Sequence, residues 1–195
     1  MERLTIPLFP LHAVVFPGGP LALRIFEPRY LDMISRSLRD DQPFGICLIE
    51  DGAEVGSAAR TFDIGTLVRI TYWHRRRDGL LGVTVRGERR FRVLSQQTRP
   101  DQLIMAEVEL LADDPARAVP DAYSSLVELL RRILEQLEHP YRNLPRQYGD
   151  AGWVSARLVE LLPVELLQKQ RLLQMDDPIR RLECLKGMLD SGKLA

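Results

Sequence analysis

The residue types that most often perform chemistry are scattered in this sequence of 195 residues. The histidines His12, His74 and His139 lie far apart, and the cysteines Cys47 and Cys184 form no CxxC pair. A zinc site needs such residues in a cluster, and HExxH is absent. The phosphate-binding pattern GxxxxGK[ST], the dinucleotide pattern GxGxxG and the GxSxG nucleophile elbow are absent as well. We therefore expect no catalytic residues, no metal site and no cofactor.

One candidate binding segment is HRRRDG at positions 74–79, which places Arg75, Arg76 and Arg77 at a predicted hairpin tip. With GERRFR at positions 87–92 and the aromatic residues nearby, it would form a basic surface that binds nucleic acid by phosphate contact and stacking. The formal net charge of the chain is zero, which counts against a nucleic-acid partner. A solvated turn is the simpler interpretation, and RNA binding through these arginines stays the alternative function.

A second group of residues combines apolar and aromatic side chains with two arginines. At least some of the aromatic residues must belong to the core. Those that stay exposed in a groove or beside a free strand edge would bind an extended apolar peptide. The edge would supply main-chain hydrogen bonds, and pockets would accept alternate side chains. The candidate contact residues are Phe16, Phe26, Tyr30 and Trp73, with Arg24 and Arg29 as polar anchors. A structural role at a helix start is an equal alternative for Arg29.

These candidates lie in a region where short β-type segments alternate with Gly and Pro. Strands are predicted near residues 4–9, 21–26, 44–50, 62–74, 80–86, 88–95 and 104–111. Asp78-Gly79 predicts one hairpin, and Gly87 predicts a second reversal. The prolines at positions 7, 10, 17 and 20 are expected to bracket strands, because proline is confined to edges and connections. The alternation predicts a sheet with one wet face, or a small barrel.

Helical patterns appear once among the strands and then dominate the chain after residue 112. The first helix is predicted to begin at Pro28 and to carry a stripe of Leu31, Ile34 and Leu38. Four helices are predicted later, the last capped by Asp177-Pro178. We expect a β domain at residues 1–112 and a helical bundle at residues 113–195. No signal-peptide pattern and no apolar run of roughly 20 residues is present, which predicts a cytoplasmic protein.

Three blocks of the sequence resemble one family, in the right order. They are PLFPLHAVVFPGGPLALRIFEPRYLDMI at 7–34, IGTLVRITYWHRRRDGLLGVTVRGERRFRV at 64–93 and VELLPVELLQKQRLLQMDDPIRRLECLKGML at 159–189. They are similar to the start, the middle and the helical end of the N-terminal, substrate-binding domain of the ATP-dependent Lon protease. The similarity covers nearly the whole chain.

This resemblance implies an α+β fold, in which a PUA-like, mostly antiparallel β-barrel with one embedded helix is followed by an α-helical bundle. It implies non-catalytic binding of unfolded or extended polypeptide segments. An ATP-dependent protease acting in trans is a further partner that the resemblance suggests. Lon protease continues into ATPase and peptidase modules, and 195 residues without a Walker motif leave no room for either. We therefore expect a stand-alone binding domain.

Overall fold

The computed structural model describes residues 2–192, and the chain divides into two compact units between Ala112 and Asp113. Residues 193–195 of the predicted second domain lie outside the described part. Between residues 2 and 112, the first unit contains seven strands and one helix. They are β1 (Arg3–Leu11), β2 (Pro20–Ile25), α1 (Pro28–Asp40), β3 (Phe44–Asp51), β4 (Arg60–Thr61), β5 (Ile64–Arg75), β6 (Leu81–Thr98) and β7 (Ile104–Leu110).

The strands of the first unit form a sheet that closes on itself. Its order is β1–β7–β6–β5–β3, and β1 pairs again with β3, so these five strands form a closed ring. The β1–β3 pairing is parallel, with Leu8 opposite Gly45, and the remaining pairings are antiparallel. Strand β2 pairs with β6, and β4 pairs with β3. The predicted α+β class with a mostly antiparallel barrel and an embedded helix is confirmed.

Strand β1 contains Pro7 and Pro10, two of the four prolines that the sequence predicts to bracket strands at edge positions and connections. Pro7 is opposite Met105 of β7, and Pro10 is opposite Cys47 of β3. Strand β1 pairs with β7 over residues 3–8 and with β3 over residues 8–11, so each proline has a strand partner along one edge only. Proline is tolerated there because its missing N–H can face the unpaired edge.

The second reversal predicted at Gly87 is wrong, because β6 continues through this residue. A side chain at Gly87 would collide with the backbone carbonyl oxygen of Phe16. The backbone of Gly87 accepts a hydrogen bond from the N–H of Gly18 and donates one to the carbonyl of Gly19, both at 2.8 Å. Glycine therefore serves here for a close approach of two backbones, and not for a turn.

Helix α1 begins at Pro28 as predicted, with the proline at the first helical position. Its buried face consists of Arg29, Tyr30, Met33, Ile34 and Ser37. The predicted stripe is displaced by about one residue, because Leu38 is 41% exposed. The spacing of 30, 33, 34 and 37 is the pattern expected for one helical face.

We expect Cys47 to resist thiol labelling in the folded protein. It is 1% exposed in the barrel interior, and burial raises the pKa of its thiol to about 12, so little reactive thiolate exists near neutral pH. Cys184 is only partly buried and serves as an internal control. A maleimide should modify Cys184 first, as followed by mass spectrometry of peptides. Equal labelling rates of the two thiols in native buffer would contradict this packing of the barrel.

The second unit is helical. A 3-10 turn (Asp121–Tyr123) precedes α2 (Ser124–Gln136), α3 (Ala151–Leu161), α4 (Leu166–Leu173) and α5 (Pro178–Asp190). The predicted cap of the last helix is present, since the Asp177 carboxylate accepts a hydrogen bond from the N–H of Ile179 at 2.9 Å. Within residues 2–192, no helix is long and apolar enough to cross a membrane.

Candidate functional site

A groove of about 310 Å³ opens beside β2 in the first unit. Three of its lining residues, Arg24, Phe26 and Tyr30, belong to the contact residues predicted from the sequence. Most of the remaining wall is apolar and consists of Phe9, Leu11, Ala13, Leu21, Ala22, Leu23 and Ile25. Two carboxylates, Glu27 and Glu54, complete the lining. The groove therefore suits an apolar ligand with a small number of charged or polar groups.

Strand β2 offers a free edge at this groove. It pairs with β6 from Pro20 opposite Arg86 to Ile25 opposite Leu81, and among the described residues its other edge has no strand partner. In the portion of the chain that is described, the end of β1 has a second unpaired edge, since residues 9–11 pair with β3 on one side while the pairing of β1 with β7 stops at Leu8. Both strands contribute side chains to the groove wall. Unpaired N–H and C=O groups on such an edge can bind an added strand.

The side chains of β2 alternate in exposure along the groove. Leu21 and Leu23 are half-buried and pack against the core, and Ile25 is buried. Ala22 and Arg24 are exposed on the opposite face of the strand. A strand added beside β2 would therefore have one apolar face and one face toward solvent.

Phe26 and Tyr30 differ sharply in accessibility, although both line the groove. Phe26 is 52% exposed, whereas Tyr30 is 4% exposed. The ring of Tyr30 stacks on Phe9 with centroids 4.1 Å apart, and the Arg29 guanidinium lies 4.6 Å from the Tyr30 centroid. Burial raises the pKa of the Tyr30 phenol to about 12. Phe26 is thus accessible to a ligand, and Tyr30 is a core residue that forms part of the groove wall.

Arg29 does not line the groove, and its charge is held inside the protein. It is 7% exposed, its guanidinium lies 3.1 Å from the carboxylate of Glu27, and it donates a hydrogen bond to the Gln102 carbonyl at 2.8 Å. These contacts fix the start of α1 against the turn before β7. Of the two interpretations left open by the sequence, the geometry favours the structural one for Arg29.

The structure argues most clearly against the predicted ligand contact of Phe16. It is 1% exposed, and its carbonyl accepts a hydrogen bond from the N–H of Gly19 at 3.0 Å. A phenylalanine in the interior cannot contact a ligand in the groove. Local sequence gives no means of separating Phe16 from Phe26, because both follow mostly apolar residues and precede a proline by one or two positions.

Trp73 lies outside the groove but on an exposed part of the same sheet. It is 58% exposed and lies opposite Val83, which lies opposite Leu23 of the groove wall. Residues directly opposite each other share a sheet face, and two strand spacings are about 10 Å. Trp73 is therefore separated from the groove by one intervening strand.

The arginine hairpin, residues 74–79, is exposed throughout and is closed by Gly79, whose φ of +83° favours glycine. Asp78 lies 3.3 Å from the Nε atom of Arg76 and 3.5 Å from Arg24. A hydrogen bond from the N–H of Leu80 lowers the pKa of Asp78, with help from Arg76. This carboxylate offsets part of the positive charge of the hairpin.

Glu54 is a charged lining residue that no sequence pattern indicated. Its Oε1 atom accepts a hydrogen bond from the backbone N–H of His12 at 2.7 Å, across 42 residues of sequence. It lies in the loop between β3 and β4, where no local pattern distinguishes it from other solvated carboxylates. Across residues 2–192, no three His, Cys, Asp or Glu side chains are grouped to hold a metal ion.

Comparison with known proteins links the chain to one family. The family model described as "ATP-dependent protease La (LON) substrate-binding domain" matches residues 5–191. The crystal structure of a Lon N-terminal domain protein from Xanthomonas campestris superposes with a TM-score of 0.78 at 38% identity, covering 94% of this chain and 98% of that one. The N-terminal domain of Lon protease from the Mycobacterium avium complex shares the fold, with a TM-score of 0.63 at 18% identity, covering 93% of this chain and 95% of that one.

The chain also matches part of longer proteins. Lon protease of Cytophaga hutchinsonii is 24% identical over 198 residues, which cover 95% of this chain and 24% of that protein. A LON peptidase N-terminal domain and RING finger protein of Schizosaccharomyces pombe is 29% identical over 214 residues, which cover 91% of this chain and 43% of that protein. The chain therefore spans less than half the length of either relative.

Proposed function

Since this chain belongs to the family of the Lon substrate-binding domain, we propose that it is a non-catalytic module that binds extended polypeptide segments in the groove beside β2. The observation that carries this proposal is an accessible aromatic side chain, Phe26, next to an edge of β2 that has no partner strand in the described part of the chain. Together they supply the two elements of strand-addition recognition, which are main-chain hydrogen bonds and an apolar anchor.

In this mode the ligand runs alongside β2 as an added strand. Its backbone bonds to the free edge, which gives affinity for many sequences because main-chain groups are common to all of them. Alternate side chains of the ligand pack against Leu21 and Leu23, and one apolar residue contacts the ring of Phe26. An unfolded protein offers such segments, whereas a folded protein buries them.

The module performs no reaction of its own in this proposal. Support comes from the matched family model, which describes a substrate-binding domain, and from the relatives named Lon protease. We propose that a bound polypeptide passes to an ATP-dependent protease acting in trans. Degradation of an unfolded protein by the purified chain in the presence of ATP would contradict the non-catalytic role.

Replacing Phe26 by Ala should weaken binding of an unfolded polypeptide about tenfold, as expected for loss of one aromatic anchor. The melting temperature should stay unchanged, because a side chain that is 52% exposed contributes little to the core. Anisotropy of a labelled, carboxymethylated protein measures the affinity, and calorimetry measures the stability.

The matched control for this variant is Leu38→Ala, which truncates an apolar side chain of α1 that is 41% exposed and does not line the groove. Its affinity should equal that of the unmodified protein. If the Phe26→Ala variant binds as tightly as the unmodified protein, the groove is not the binding site. A lower melting temperature of that variant would make Phe26 a core residue.

A second candidate function is RNA binding at the arginine hairpin. The observation that favours it is the exposure of Tyr72 and Trp73, at 52% and 58%, beside Arg75, Arg76 and Arg77. A structured RNA serves as the second labelled ligand in the same titration, at several salt concentrations. RNA affinity that falls steeply with salt and is lost on changing the three arginines to Gln would support this function. Polypeptide binding that survives salt would support the groove.

A further inference from the structure

The charged side chains of the groove are not equally neutralised by the protein. Arg24 lies 3.5 Å from the carboxylate of Asp78. Glu27 lies 3.1 Å from the guanidinium of Arg29, which is 5% exposed as a side chain. One cation and one carboxylate of the groove wall therefore already have partners of opposite charge.

Glu54 has a different environment. Its Oε1 atom accepts the hydrogen bond from the His12 backbone N–H at 2.7 Å, and the His12 imidazole lies 3.5 Å away. That imidazole carries a positive charge only when protonated. Within residues 2–192, no lysine or arginine pairs with Glu54, and its side chain is 45% exposed. The groove thus presents one negative charge that a ligand can neutralise.

The position of this carboxylate is fixed by the contacts of its loop. The hydrogen bond to His12 holds Glu54 beside the end of β1, and the N–H of Gly56 donates to Glu27 at 3.4 Å. Glu54 is therefore held at the groove wall, rather than swinging freely in solvent. A fixed charge gains more from an opposite charge on a ligand than a mobile one, because less side-chain entropy is lost.

We propose that the groove selects polypeptide segments in which a lysine or arginine stands next to apolar residues, and that Glu54 is the specificity-determining residue. This inference rests on the proposed function and adds to it the class of sequence that is bound. The apolar side chains contact the leucines of β2 and Phe26, and the basic residue pairs with the Glu54 carboxylate. A segment with an acidic residue at that place is repelled by the same charge.

The test uses three labelled, unstructured peptides that share one apolar core and differ only in flanking residues, which are Lys, Gln or Glu. The Lys peptide should bind about fivefold more tightly than the Gln peptide, which is the upper range for a half-exposed ion pair. The Glu peptide should bind more weakly than the Gln peptide. Added salt should reduce the Lys preference and leave the affinity of the Gln peptide nearly unchanged.

The variant Glu54→Gln removes the charge and keeps an oxygen that can accept the hydrogen bond from His12. It should bind all three peptides with similar affinity. The matched control is Glu50→Gln, which alters a glutamate of β3 that pairs with Arg60 at 3.0 Å and does not line the groove. This control should keep the full ranking of the three peptides.

The outcomes separate the inference from the function on which it rests. If no peptide binds, the proposed groove function fails. If all three peptides bind equally to the unmodified protein, or if Glu54→Gln keeps the ranking, the role of Glu54 is wrong although peptide binding stands. A preference for the Glu peptide would overturn the inference directly.

Discussion

Replacing Arg157 by Met should lower the free energy of unfolding of the second unit by about 3–5 kcal/mol. Arg157 is fully buried in α3, and its Nε atom lies 2.8 Å from the carboxylate of Glu160, which is 6% exposed as a side chain. Methionine fills much of the same space but carries no charge. The variant would remove the ion pair between this guanidinium and the buried Glu160 carboxylate, and breaking a buried pair by removing one partner is costly.

Other polar groups surround the same carboxylate, so the cost is not confined to one pair. The Tyr141 hydroxyl donates a hydrogen bond to Glu160 at 3.3 Å, and the Lys169 ammonium donates one to the Glu160 backbone carbonyl at 2.9 Å. Burial is the main cause that raises the pKa of Tyr141 and lowers the pKa of Lys169. A network of this kind depends on all its members, because each was removed from water on folding.

Urea unfolding followed by far-ultraviolet circular dichroism measures the effect. The matched control is Arg142→Met, because Arg142 lies 3.9 Å from Glu138 with both side chains exposed, at 71% and 87%. This change should cost less than about 1 kcal/mol. The double variant Arg157→Met with Glu160→Met should be more stable than Arg157→Met alone, since the buried carboxylate that lost its guanidinium partner is removed as well. Equal stability of Arg157→Met and Arg142→Met would contradict the role of the pair.

Features fixed by neighbouring residues could be predicted from the sequence. Helices α1 and α5 begin at Pro28 and Pro178, because proline at the first helical position is a local signal. The hairpin at Asp78-Gly79 follows from turn chemistry in the same way. Buried Arg157 could not be predicted, because a helical pattern places charged residues on the solvent face, and its ion pair with Glu160 is evident only from the structure.

Features that depend on distant residues were outside the reach of local patterns. The barrel closes through the parallel pairing of Leu8 with Gly45, which no turn or periodicity signals. For the same reason Gly87 gave the wrong prediction, since the backbone that approaches it belongs to residues 16–19. In the groove, the sequence suggested Phe26 through its aromatic character, but it could not rank Phe26 above Phe16. The position of Glu54 at the groove depends in part on a hydrogen bond to His12, which is 42 residues away in the sequence.

The interior of the barrel should tolerate a methyl group at Gly45 better than at Gly65. Both glycines lie against the buried ring of Phe91. A Cβ at Gly45 would lie 2.7 Å from atoms of the Leu8 and Phe91 side chains, which can shift. A Cβ at Gly65 would lie 2.5 Å from the backbone carbonyl oxygen of Ile46, which cannot shift without disturbing β3. We expect Gly65→Ala to cost about 3 kcal/mol or more, and Gly45→Ala to cost about 1–2 kcal/mol.

A second substitution at Phe91 separates the two causes. Phe91→Leu removes the ring atoms that meet both new methyl groups, and it costs stability by itself because it leaves space in the core. The double variant Phe91→Leu with Gly45→Ala should lose less stability than the sum of the two single losses, since the methyl group fills part of that space. Combined with Gly65→Ala, the costs should remain nearly additive, because the clash with the Ile46 carbonyl persists. Urea unfolding of the three single variants, the two double variants and the unmodified protein gives both coupling energies. Equal coupling at the two glycines would show that the ring, and not the backbone of β3, limits the space at Gly65.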